Sequence, residues 1–209
     1  PVIYYEHSTD QVLTIEDVTS IKITDYEAME AAGISRKAVA KRMMDTYLPQ
    51  VFNHYFFHAD PHPGNLFYLD DGRVAIIDCG MMGTLDPRTR TALTEMILAI
   101  VNTDAQRCTQ LTLRLAEPMQ PTDLVRLESD YRKLLRRYYG LSLANLNSAE
   151  AFSEILQAAS RNNLRWPSNI GLFTKSMLNL EGAGRRFDES VNLLDEAKPL
   201  MVDLFRQQL

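Results

Sequence analysis

The sequence predicts an α+β fold that is mostly helical, and three observations carry that prediction. From Pro87 onward, apolar residues recur at three- and four-residue spacing in one segment after another. Between Leu66 and Ile77, two short apolar runs flank Asp70-Asp71-Gly72-Arg73, a strong hairpin signal. Near the N-terminus, Val2–Glu6 and Gln11–Ile15 are rich in β-branched and aromatic residues and are separated by His7-Ser8-Thr9-Asp10, which reads as a strand pair.

With 209 residues, 45% of them hydrophobic, the chain can bury a substantial core, so a single domain is expected. Its parts would be a strand pair and exit at 1–24, a supporting helix, polar loop and hairpin at 25–85, and a helical remainder at 86–209. A net charge of -5 argues against a nucleic-acid partner gripped by a broad basic surface. The longest unbroken apolar run, Met96–Val101, is far short of the about 20 residues a bilayer span needs. A soluble or peripheral body is expected, and the start at Pro1 without a leader reads as a piece of a longer chain. Two cysteines, Cys79 and Cys108, make neither a disulfide framework nor a zinc site, which fits a reducing compartment.

The strand pair leads into Glu16-Asp17-Val18. Ser35, after Gly33-Ile34, is a candidate N-cap for a long helix whose stripe is Ala40, Met44, Leu48, Val51 and Tyr55, widened by Met43, Tyr47 and Phe52. After the hairpin, Asp86-Pro87 supplies a cap and a first-turn proline for a helix reaching about Asn102, and Asp104 caps another through Leu111 and Leu115. Leu124, Leu127, Tyr131, Leu134, Leu135 and Tyr138 mark a third, expected to end at Gly140. Asn147 with Glu150 resembles a capping box opening a fourth. Pro167 starts a fifth through Phe173, Met177 and Leu180, and a last helix contains Met201, Leu204 and Phe205. Arg132-Lys133 with Arg136-Arg137 form either a solvated face or a contact to anionic lipid or a partner domain.

Polar chemistry concentrates between His54 and Gly83. Asn65 enters the first hairpin strand and Asp78 leaves the second, so both should lie at the open end of the ribbon and share one ion. An Asn with an Asp is an oxygen ligand set of the kind Mg²⁺ takes together with phosphate oxygens, which points to a nucleotide. Asp60 would then orient or deprotonate an attacking hydroxyl or water. An Asp, an Asn five residues on and a downstream Asp match the order of the phosphoryl-transfer template. Pro61 and Pro63 stiffen the intervening turn. His54, His58 and His62 also recur every four residues, but the prolines end the helix before His62, and a zinc or iron site would leave Asn65 and Asp78 without a role.

The loop His58-Ala59-Asp60-Pro61-His62-Pro63-Gly64-Asn65, preceded by Phe56-Phe57 and followed by a hairpin and Ile77-Asp78-Cys79-Gly80, resembles the catalytic loop of the AarF/UbiB/ADCK family of atypical kinase-like proteins. Val12–Val18 is similar to that family's hinge, and Leu180-Glu181-Gly182-Ala183-Gly184-Arg185-Arg186 extends the resemblance. It implies the C-terminal lobe of a protein-kinase-like fold, with a hinge and a few strands of the N-terminal lobe. Main-chain groups of Glu16 and Val18 would meet an adenine edge, with Ile15 at the back of the pocket. Asn65 and Asp78 would hold Mg²⁺ against ATP or ADP, with Asp60 on the nucleophile. His58 would hydrogen-bond behind the loop, and His62 would either touch a phosphate oxygen or face solvent. Cys79 departs from the family's usual Phe and is expected as a small buried hydrophobe, with redox regulation as the alternative.

The resemblance further implies that the phosphate-covering loop, the strand lysine and its partner glutamate lie upstream. It implies an ATP-dependent kinase or ATPase in isoprenoid-quinone or related lipid metabolism, with isoprenoid lipid or quinone-biosynthesis proteins as partners. The expected place is peripheral to a membrane on its cytoplasmic or organellar-matrix side. A nucleotide-binding pseudokinase scaffold, and a small-molecule kinase of the aminoglycoside or choline type, stand as alternatives.

Overall fold

The computed structural model describes residues 1–138 and 147–206. Its chain runs β1 (Ile21–Lys22), α1 (Tyr26–Ala31), α2 (Arg36–Phe52), β2 (Phe56–His58), β3 (Leu66–Tyr68), β4 (Val74–Ile76) and β5 (Met82–Thr84). It continues with α3 (Pro87–Val101), α4 (Ala105–Leu115), β6 (Glu117–Pro118), α5 (Leu124–Arg136), α6 (Ser148–Arg161), β7 (Leu164–Arg165), α7 (Ser168–Phe187) and α8 (Leu193–Arg206). The fold is the α+β, mostly helical arrangement expected, with small antiparallel sheets.

Helix α2 organises the core. Val39, Ala40, Met43, Met44, Tyr47, Leu48, Val51 and Phe52 are all buried, and α7 and α8 pack along it. Residues from Ile23 to Met201 join one hydrophobic cluster. At α7, Gly184 lies so close to Met44 that an added Cβ would come within 2.5 Å of its terminal methyl. The Leu180–Arg186 motif is therefore structural at its centre. Glu181, 2% exposed, accepts the Ala149 N–H at the start of α6 at 3.0 Å and pairs with Arg185 at 3.3 Å, so a buried carboxylate is held by partners rather than stranded.

The helix starts follow the capping residues. Asp86 accepts from the N–H groups of Arg88 and Thr89, both at 3.0 Å. Asp104 accepts from Arg107, Asp123 from Arg126 and Asn147 from Glu150. Asp86 satisfies two, and each of the others one, of the donors that a first helical turn leaves open. Ser35 occupies the N-cap of α2, but its side chain makes no capping bond. The expected end of α5 at Gly140 lies outside the described residues, as do the side chains of Leu204 and Phe205.

Three expectations are corrected. The N-terminal runs form no regular strands: they pair antiparallel through a single Ile3–Ile15 bridge, flanked by bonds from the Tyr4 N–H to the Thr14 carbonyl and from the Glu16 N–H to the Val2 carbonyl, with a 3₁₀ turn at Tyr5–His7 where the first strand was expected to end. Tyr55 does not continue the α2 stripe, because the chain leaves the helix at Asn53 and Tyr55 takes a left-handed φ of 62°. Its ring stacks on the Arg90 guanidinium at 3.9 Å, and its hydroxyl accepts from the same group at 2.8 Å. Cys79, expected buried, is exposed, because β4 ends at Ile76 and Ile77 through Met81 run over the surface. The four cations at the end of α5 face solvent: Arg132 pairs with Glu128, Lys133 with Asp130 and the C-cap Arg137 with Glu154, and Arg136 is likewise exposed. Among the described residues, no helix is long and apolar enough to cross a membrane.

Candidate active site

Two antiparallel pairings converge on the polar loops. In the hairpin, Leu66 faces Ile76, and beyond the last regular pair the Ile77 N–H reaches the Asn65 carbonyl at 3.2 Å. Asn65 and Asp78 therefore leave the ribbon at one end, as the Asp-Gly turn at the other end predicts; Gly72 takes the φ of 80° that the turn requires. Separately, β2 pairs with β5, His58 opposite Met82, and the Ala59 N–H donates to the Met81 carbonyl at 2.9 Å. This brings the chain just before Asp60 alongside the chain just after Asp78.

The His58 ring joins the two. It is 3% exposed and packs edge-on to Tyr47 at 5.8 Å. Its Nδ1 accepts the Asp60 N–H at 3.2 Å, and its Nε2 is hydrogen-bonded to the Asp78 carbonyl. An Nδ1 that accepts leaves the proton on Nε2, where the carbonyl needs a donor, so both partners select one neutral tautomer. One imidazole spans the main chains of the two acidic residues.

At the mouth, the Asn65 amide nitrogen donates to Asp78 Oδ2 at 3.1 Å, and Asp78 Oδ1 accepts the Gly80 N–H at 2.9 Å. Asn65 is half-buried and Asp78 exposed. The nitrogen of Asn65 is turned to Asp78, so its Oδ1 is the atom left to act as a ligand. His62 Nδ1 accepts the Gly64 N–H at 3.1 Å and caps the 3₁₀ turn Pro63–Asn65, which leaves only Nε2 of an exposed ring for a phosphate. Tyr47 Oη is buried with no hydrogen-bond partner among the described residues. Burial, then repulsion from Cys79 and Asp60, pushes this phenol above its ordinary range.

Asp60 is held from a distant part of the chain. Its Oδ1 accepts from Asn179 at 2.9 Å, and its Oδ2 pairs with Lys175 Nζ at 3.2 Å; both donors stand on α7. Ser176 on the same helix donates to the His58 carbonyl at 2.8 Å. None of these three was singled out from sequence. The signal available was a buried Ser176 among the apolar positions of α7, a polar residue where the stripe calls for a hydrophobe.

The expected hinge is in part a cavity wall. Glu16 and Val18, with Leu69, Val74, Ala75, Ile76 and Cys79, line a cavity of about 340 Å³. The Glu16 N–H is committed to the Val2 carbonyl at 2.8 Å, so its carbonyl is the main-chain group it can offer a ligand. Ile15, expected at the back of this pocket, is instead exposed and is not part of the lining. Alternation along extended chain puts residues 16 and 18 on one side and residue 15 on the other. Among the described residues, no three His, Cys, Asp or Glu side chains cluster to hold a metal, so an ion here would rest on Asn65, Asp78 and ligand oxygens.

Comparison with known proteins gives the family. Residues 1–112 match the ABC1 atypical kinase-like domain, and residues 131–192 match the UbiB helical domain. An uncharacterised protein of Synechocystis is 44% identical over 88% of the chain and 46% of its own length. Proteins named probable protein kinase UbiB are 31% identical in Tolumonas auensis and 30% in Shewanella frigidimarina, each over 100% of the chain and 39% of the relative. The chain thus spans less than half the length of these curated relatives. Loop, hairpin and supporting helix fall inside the first matched segment and the helix that grips Asp60 inside the second: the chain belongs to the ABC1 atypical kinase-like family.

Proposed function

We propose that this chain carries the metal-holding and nucleophile-positioning part of an Mg²⁺-dependent, ATP-using phosphoryl-transfer or ATPase site. The observation that carries this reading is the His58 imidazole bonded to the Asp60 and Asp78 main chains at once, beside an Asn65 amide in contact with Asp78. The donor set fits magnesium: a carboxylate and a carboxamide oxygen on short turns, open to solvent, with room for water and phosphate oxygens. When bound, Mg²⁺ would offset the charge of the nucleotide phosphates.

The rest of the work falls to the protein. Gly80 N–H and Asn65 fix the Asp78 carboxylate. Asn179 and Lys175 fix the Asp60 carboxylate, so the group that accepts the nucleophile's proton is held in one orientation before substrate arrives. The cavity lined by Glu16 and Val18 would take the adenine of ATP or ADP. Relatives named probable protein kinase UbiB support this reading for the whole protein. The motif resemblance supports a role in isoprenoid-quinone or related lipid metabolism, peripheral to a membrane.

The test is Mg²⁺-dependent ATP hydrolysis by the full-length protein, with Asp78→Asn as the control. Hydrolysis that requires Mg²⁺ and falls about 10²-fold or more in the variant is the expected result. Equal hydrolysis by both proteins refutes the assignment of Asp78.

A further inference from the structure

We infer that Lys175 of α7 is the side-chain cation that meets the phosphoryl group in flight, bridging it to Asp60. This rests on the phosphoryl-transfer reading above and adds a residue to it.

Negative charge spreads over the oxygens of a phosphoryl group as it is transferred. Beyond a bound Mg²⁺, a cation on this chain's own side of the cleft would serve the same charge. The side chains identified so far are two carboxylates and a neutral amide. His62, the nearest basic side chain in the loop, has one ring nitrogen committed to Gly64. Lys175 is placed for the task. Its Nζ lies 3.2 Å from Asp60 Oδ2 and 3.5 Å from the Met81 sulfur. Met81 follows Asp78 by three residues, and its carbonyl is bonded to the residue before Asp60. The ammonium therefore sits across the seam between the loop that carries the base and the loop that carries the metal ligand. A lysine has three N–H donors; these two contacts engage two, and one remains for a phosphate oxygen.

Stability does not account for the arrangement. The Lys175 and Asp60 side chains are 45% and 39% exposed, and ion pairs at that exposure stabilise a fold little. The stem, by contrast, is fixed: one residue on, Ser176 is buried and bonded to His58, and one turn on, Asn179 holds the other oxygen of the same carboxylate. A cation mounted on a docked helix and aimed at a solvent-open seam is preorganised for a charge that arrives with substrate.

The step balances without a further reactant. The nucleophile's oxygen forms a bond to the γ-phosphorus while the bond from phosphorus to the departing ADP oxygen breaks, and the nucleophile's proton passes to Asp60. Lys175 keeps its proton throughout. As Asp60 becomes neutral its hold on the ammonium weakens, and the cation follows the negative charge to the phosphoryl oxygens.

The experiment uses the full-length protein and the variants Lys175→Met and Lys175→Arg. It reads MgATP hydrolysis, with kcat and KM separated, and the affinity for Mg-ADP with and without fluoroaluminate as a phosphoryl mimic. ADP lacks the transferred group, so Lys175→Met should bind Mg-ADP within about twofold of wild type. It should lose about 10²- to 10³-fold in kcat with little change in KM, and lose the gain in affinity that fluoroaluminate gives wild type. Lys175→Arg should recover at least about tenfold of the kcat. The proposal is overturned if kcat of Lys175→Met stays within about threefold of wild type. It is equally overturned if Mg-ADP affinity falls in parallel with kcat, which is the mark of a merely structural residue. Should the Met variant not fold, Lys175→Gln is judged by the same two readings. A wild-type protein that binds no Mg-ADP instead overturns the nucleotide reading beneath the proposal, a failure distinct from either of these.

Discussion

Replacing His58 by Phe tests whether one ring ties the two acidic loops together. Phenylalanine keeps the aromatic volume and the edge contact with Tyr47, so no cavity opens, but it supplies neither ring nitrogen. The Asp60 N–H, on a half-buried residue, loses its acceptor, and the Asp78 carbonyl, on an exposed loop, loses its donor. Stranding the first costs about 1–2 kcal/mol, and the second, which water can reach, about 1 kcal/mol. The sum, about 2–3 kcal/mol, corresponds to a fall in Tm of roughly 4–12 °C for a domain of this size. Thermal and urea unfolding would report it, the latter as a lower midpoint at unchanged slope. Because Asp78 is no longer tethered, Mg-ADP affinity should fall further than the loss of stability explains. A melting temperature within roughly 1 °C of wild type would refute the tether.

Other outcomes follow from the same packing and charges. Asp86→Ala should destabilise the protein by about 1 kcal/mol through loss of the α3 cap. The Thr89 hydroxyl and N–H, helped by the Arg88 N–H, hold the Asp86 carboxyl below its ordinary value. A depressed folded-state pKa means that this stabilisation is complete above the unfolded value near 3.8 and is lost as pH falls through the lower folded value; the Ala variant should lack that component in acid titrations of unfolding. Gly83→Ala would put a methyl group within 2.9 Å of three ring carbons of Phe57. That ring is 1% exposed and packed against Phe173, so it cannot yield, and a loss of about 1–3 kcal/mol in chemical denaturation is expected. Cys79 should react with a maleimide in the native protein, whereas Cys108, buried and with its thiol pushed up to about 12 by burial and then by Asp104, should react only on unfolding. Mass spectrometry of the labelled peptides separates the two.

What the sequence disclosed about this molecule was local. Asp86-Pro87, Asp104 and Asn147 mark helix starts through bonds that reach two or three residues along the chain, and Asp-Gly fixes the hairpin through one turn. That Asn65 and Asp78 lie together was legible because that hairpin dictates where its two ends meet; the place of His58 behind the loop was an expectation from the motif resemblance, not from any spacing. Elements too short for a periodic signal escaped: Ile21–Lys22 is a strand only because β3 offers an edge, and Glu117–Pro118 only because Leu164–Arg165 comes alongside. The partners of Asp60 escaped for another reason. Lys175 and Asn179 are 115 and 119 residues away, and nothing in the spacing of either segment names the other. Cys79 and Ile15 were misplaced because whether a residue faces core or solvent is decided by where its strand stops and which way it twists.

The grip of α7 on the Asp60 loop also bears on how such proteins can be recombined. The matched segments, 1–112 and 131–192, invite treatment as interchangeable cassettes. A hybrid joined between them from two sources would confront the acid of one parent with the counter-cation, amide and hydroxyl of the other, and a mismatch there would leave a folded chimera with an unsupported Asp60 carboxylate. Grafts within this family should therefore transfer the loop together with Lys175, Ser176 and Asn179, as four parts of one heritable unit.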